Sequence, residues 1–130
     1  MKFEGVLVRP LAAQGDRDGN LIDPAGISFE DKPVTIWRNF SYELGDLLGE
    51  GVISRAEDGS LVVSGELNEA GTEMVRGGLD RLAVGLRVDR MVRKRRGKQI
   101  ASASTVFGIA LTREHQDPDQ PPVRLLDQWN

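Results

Sequence analysis

The chain has 130 residues and no cysteine. A disulfide framework and a thiolate zinc site are both excluded. The absence suits a reducing cytosol without requiring one. Aromatic residues make up only 5% of the chain, and there is a single histidine, His115. No apolar run approaches the roughly 18 residues that a membrane-spanning helix needs, so no membrane partner is expected. Met1–Gly5 opens directly into a strand pattern, without the charged and apolar regions of a signal peptide. No phosphate-cradling glycine motif occurs, and no serine lies in a Gly-x-Ser-x-Gly elbow. Asp16, Asp18, Asn20 and Asp23 lack the downstream glutamate spacing of a calcium-binding loop. They read as a polar turn, so neither a metal nor another cofactor is expected.

What the chain does have is glycine, 15 residues of it, between short alternating runs of Val, Ile and Leu. That pattern predicts many short strands joined by tight turns. Strands are expected at Phe3–Val8, Val34–Trp37, about Leu47–Arg55, Leu61–Leu67, Arg81–Val88 continuing through Met91–Val92, and Ile100–Leu111. Asp58-Gly59 marks a hairpin between the third and fourth of these. Gln14–Gly26 reads as a Gly/Asp-rich loop. The periodicity changes in "NEAGTEMVRGGLD", where Asn68 can cap a short helix and Gly77-Gly78 can stop it. The fold class is therefore mainly β with one short helix (α+β). A small antiparallel β-barrel is the natural closure, because it removes sheet edges. At this length one domain is expected, able to bury about two-thirds of its unfolded surface. Its bounds are 1–118, followed by an extended C-terminal arm, 119–130.

The net charge is −3, but it is unevenly placed: Arg87–Lys98 carries seven basic residues and one acid, Asp89. Arg90, Arg93, Lys94, Arg95, Arg96 and Lys98 thus form a basic hairpin. It lacks interleaved aromatics, and the chain is acidic overall, so an acidic protein surface suits it better than nucleic acid. In the arm, Pro118, Pro121 and Pro122 favour extended backbone. Leu125, Leu126 and Trp129 then offer apolar anchors for a partner.

The order of five segments resembles the tailed-phage prohead (capsid maturation) proteases. "DRDGNLIDPAGISF" is similar to their early loop, "VTIWRNF" to the strand that carries their histidine, and "EDGSLVVSGEL" to their central hairpin. "LDRLAVGLRV" is similar to their nucleophile strand and "TVFGIALTREHQDPD" to their last core strand and its exit. The resemblance spans about Phe3 to Pro118. It implies a fold like that of the herpesvirus assembly proteases and, in active members, a serine activated by histidine. Carried over by position, the histidine falls on Asn39 and the serine on Ala83, with the family's further acidic residue near Gly108. Alanine has no oxygen to attack a carbonyl, and a neutral amide cannot take the proton that a serine must give up. His115, in a polar exit segment, reads as a solvated loop residue.

The resemblance with both catalytic groups missing implies a non-enzymatic virion protein. The role expected is a capsid decoration or minor capsid (cement) protein on a prohead protease fold. Its partner would be the major capsid protein, with the chain a homo-oligomer; a trimer suits a three-fold site. It would reside in the virion capsid, and in the host cytoplasm during assembly. The alternatives are an active prohead serine protease with displaced catalytic residues, or an assembly scaffold or chaperone that leaves before maturation.

Overall fold

The structure is a computed structural model that describes residues 1–10, 21–93, 99–115, 117 and 119–126, the Arg93 side chain excepted. Its strands are β1 (Lys2–Val8), β2 (Leu21–Ile22), β3 (Ile27–Ser28), β4 (Val34–Arg38), β5 (Leu47–Arg55), β6 (Leu61–Leu67), β7 (Arg81–Arg93), β8 (Gln99–Thr112) and β9 (Arg124–Leu126). A helix, α1 (Glu69–Arg76), follows β6. Short 3-10 turns cover Pro24–Gly26 and Leu44–Asp46.

Local chemistry sets these elements. Alternation along β5 and β6 places Ile53, Leu61, Val63 and Leu67 in the core, and the irregular step opposite Ile36 and Trp37 adds Leu48. In their hairpin Gly59 takes φ 88°, which glycine adopts without strain. Asp58 Oδ1 accepts from the Ser60 amide and hydroxyl at 2.9 and 2.6 Å. Asn68 caps α1 by accepting from the Gly71 amide at 2.8 Å, and the Gly77 amide donates to the Glu73 carbonyl at 2.9 Å. The helix lies so close to β5 that a side chain at Gly71 would meet the Leu48 carbonyl oxygen at 2.3 Å. The core joins Phe3, Leu7, Ile36, Leu82, Ile109 and Leu111 to those residues, each almost wholly buried. Burying a side chain of this size contributes roughly 1.5–3 kcal/mol.

One nine-stranded sheet runs β2-β8-β4-β5-β6-β1-β9, with β3 and β7 also paired to β8. It corrects the expected barrel in two respects. The sheet is mixed, because β2, β3 and β4 all run parallel to β8. It is also open rather than closed, since no ladder joins β1 to β7. The C-terminal segment stands where closure would occur. β9 pairs antiparallel with β1, and the Val123 amide donates to the Asp80 carbonyl, just before β7, at 2.8 Å. Gln120 completes the bridge. Its side-chain Nε2 donates to the carbonyls of Val6 (2.6 Å) and Leu7 (3.4 Å) on β1, and of Leu82 (3.3 Å) on β7.

The arm expected from residue 119 onward is corrected accordingly for residues 119–126. Gln120 and Val123 are buried, and Leu125 packs against the chain's own core. The expected boundary at 118 falls inside this clasp. Read alone, the tail offered apolar residues with no visible host; the open seam is that host.

Candidate functional site

Two of the positions singled out by sequence, Ala83 and Gly108, share one face of the sheet where β4, β8 and β7 lie side by side. Ala83 is directly opposite Ala110, and Ala110 opposite Trp37. One row further along, Gly85 is opposite Gly108. These residues make a floor of small side chains. The Trp37 indole nitrogen donates to the Thr35 hydroxyl at 2.8 Å, which lays the ring along β4. Tyr42 packs against Trp37 edge to face, with centroids 5.5 Å apart. The Tyr42 hydroxyl comes so close to Gly108 that an added side chain there would sit 2.9 Å from it. Phe107 occupies the irregular step between Gly85 and Leu86, and its ring covers Gly85 closely enough to exclude a side chain. The glycines thus admit the aromatics, and the aromatics wall the face.

Asn39 follows β4 in a tight turn. The Ser41 amide donates back to the Arg38 carbonyl at 2.8 Å, while Asn39 and Phe40 take φ 48° and 59°. Both central residues are left-handed, as in a type I′ turn. Asparagine tolerates this region; phenylalanine rarely adopts it. The Asn39 amide donates to Leu111 of β8 at 3.1 Å, which fixes the turn against the sheet. An open cavity of about 500 Å³ beside it is lined by Asn39, Phe40, Thr112, Arg113 and Glu114.

Chemically, Ala83 presents a methyl group and Gly108 no side chain at all. His115 is not the solvated loop residue that its surroundings in sequence imply. It is half-buried, and Nδ1 accepts from the Asp117 amide at 2.9 Å. Burial lowers its pKa, against the opposing pull of the Asp117 carboxylate. The Nδ1 bond ties the ring to the backbone of the segment after β8. Asp117 is pushed up by burial, but the two-pronged bond from Arg9 (2.5 and 2.7 Å) helps carry it below the usual carboxylate value. This pair ties the end of β1 to the segment after β8. The sequence signal that could have found it is the Glu-His-x-Asp cluster before the prolines.

The other expected site residues lie apart from this face. Arg90 is exposed near the far end of β7. Beside it, Asp89 accepts from Thr105 and Arg87, which lowers its pKa. Arg93 ends β7; Lys94, Arg95, Arg96 and Lys98 lie outside the described residues. Leu125 and Leu126 are half-buried in β9, and Trp129 is outside the described residues. Asp23 caps the Pro24–Gly26 turn by accepting from the Ala25 amide at 3.0 Å; Asp16, Asp18 and Asn20 are not described. No helix among the described residues is long and apolar enough to cross a membrane.

Comparisons of the chain with protein-family models, with curated proteins and with solved structures return no match.

Proposed function

We propose that this chain is a non-catalytic phage virion protein with a prohead protease-like fold, acting as a capsid decoration or minor capsid protein that stabilises the shell. The observation that carries the reading is the pairing of Ala83 and Asn39 at the positions the resemblance gives to nucleophile and base. A hydrolase of that type needs a hydroxyl and a proton acceptor in contact. Here one is a methyl and the other a turn amide, and the sole histidine has its Nδ1 bonded to the Asp117 backbone amide.

In this reading the sheet is a rigid body and the basic hairpin orients it on an acidic surface of the major capsid protein. Charge of this kind sets orientation and encounter rate more than affinity. β9 pairs with β1 alone among the described strands. Its other edge is open to strand addition from a capsid chain, beside the half-buried Leu126. Assembly as a homo-oligomer, such as a trimer, would match a three-fold capsid site.

Incubation with the major capsid protein of its own phage tests this. The expected result is salt-sensitive co-sedimentation with capsids and no cleavage. Specific cleavage that is lost when one serine of this chain is replaced would establish the displaced-site protease instead.

A further inference from the structure

The same sheet face continues from the aromatic wall across β4, β5, β6 and β1. Thr35, Glu50, Glu66 and Lys2 are paired neighbour to neighbour and form one exposed row. Glu50 and Glu66 are thus directly opposite each other, an arrangement that is destabilising for like charges. No cation among the described residues pairs with either. Val52, on the same face as Glu50, is 38% exposed, and at the β7 end Tyr42 and Phe107 are 55% and 63% exposed. The face therefore carries exposed Val52, Tyr42 and Phe107 among Thr35, Ser54 and Ser64, with two adjacent carboxylates at its centre and Lys2 as the cross-strand neighbour of Glu66 alone.

The complementary surface is on the same chain but cannot reach this face. Beyond Gly85, β7 continues against β8 from Leu86 opposite Val106 to Arg93 opposite Gln99, while β3 and β2 pair with the other edge of β8. The ladder exposes Val88, Met91 and Val92 beside the exposed Arg87 and Arg90. Residues 87–98 carry a net charge of +6 (seven basic, one acidic). The rest of the chain then has 17 − 7 = 10 basic and 20 − 1 = 19 acidic residues, or −9. In the sheet order β8 and β4 stand between β7 and β5, so the ladder stays away from Glu50 and Glu66 of its own chain.

We infer that a second copy supplies what each surface lacks: the β7–β8 ladder of one chain seats on the β4–β5–β6 face of the next, its cations between Glu50 and Glu66 and its apolar side chains on Val52 and the aromatics. We take the contact as head-to-tail, so that repetition closes a ring or extends a filament. The contact deepens the homo-oligomer in the capsid reading but needs only the purified chain. Its failure would leave binding of a monomer to capsids untouched.

Two variants test it. The ladder variant is Val88→Ser with Arg90→Glu and Met91→Ser; the face variant is Glu50→Lys with Glu66→Lys. Both alter exposed side chains, and circular dichroism checks that each is folded. Sedimentation velocity should show the unaltered chain as an oligomer that dissociates at least tenfold more readily when salt rises from about 0.05 to about 0.5 M. Each variant alone should be monomeric. Mixed, they should form a dimer and nothing larger, because the ladder variant still has an intact face and the face variant an intact ladder. The inference is overturned if the unaltered chain is monomeric at about 100 µM in low salt, where a micromolar contact would be filled. It is also overturned if either variant still assembles, or if the mixture stays monomeric, as a symmetric contact would require.

Discussion

Replacing Gln120 with leucine should cost the fold about 2–4 kcal/mol. An amide nitrogen has two hydrogens. One makes the 2.6 Å bond to Val6, and the other is shared between Leu7 and Leu82 at 3.4 and 3.3 Å. Each lost bond strands a carbonyl in a site where Gln120 itself is only 4% exposed. A stranded buried carbonyl costs about 1–3 kcal/mol, so two lost bonds give about 2–6. Leucine lowers that figure, because it also removes Oε1, which has no protein donor. Urea unfolding at pH 7 should show a reduced midpoint with an unchanged slope. The melting temperature should fall by roughly 10 °C for a domain of this size. Gln120→Glu should cost more, since it sets a carboxylate against three carbonyl oxygens. That extra loss should shrink as the solution is acidified and the carboxyl regains a donor proton. A Gln120→Leu loss below about 0.5 kcal/mol, the range of ordinary surface changes, would refute the view that this amide clasps the two ends of an open sheet.

Truncation after Gln120 should destabilise the domain by at least the roughly 1.5–3 kcal/mol of a buried valine, because Val123 lies in the core and β9 covers β1; an unchanged urea midpoint would place the segment outside the fold. His115 gives stability a pH dependence, since its folded pKa is lowered from 6.5. That contribution is complete above about 6.5 and is lost as pH falls from there through the folded value, where the unfolded chain binds the proton first. Melting temperature between pH 7.5 and about 5 should therefore fall less steeply in His115→Gln than in the unaltered chain, and equal slopes would contradict the assignment. Ala83→Ser combined with Asn39→His should remain inert toward the capsid precursor, because the Asn39 side chain has no hydrogen-bond partner among the described residues that could orient an imidazole; specific cleavage by the double variant would show that the site retains its working geometry.

Much of the sheet was legible because its signals are local. Alternation marks β5 and β6, Asp58-Gly59 their turn, and Asn68 with Gly77 the ends of α1. The other elements depend on partners that local sequence does not encode. β2 and β3 are two residues each, too short to show a period, and they form only by pairing parallel to β8. β9 forms because β1 has a free edge, and glutamine is seldom buried, so nothing local marks Gln120 as the clasp. At the candidate face, sequence pointed to Asn39, Ala83 and Gly108; the ladder sets Ala83 and Gly108 on adjacent rows of β7 and β8, while Asn39 lies in the turn beyond β4. It did not show the aromatic wall, because Tyr42 and Phe107 reach Gly108 and Gly85 from a turn and from an irregular step in β8. Nor did it mark the turn itself: Phe40 is not a turn residue, yet it takes φ 59° in the turn closed by Ser41 and Arg38.

The central claim is a structural place in the capsid in the absence of proteolysis. If the proposed origin holds, the most direct measurement is quantitative mass spectrometry of purified mature phage particles whose genome carries this sequence. The account predicts that the chain is present in fixed proportion to the major capsid protein. Absence of the chain from mature particles, together with capsid precursor that stays uncleaved when its gene is deleted, would contradict it.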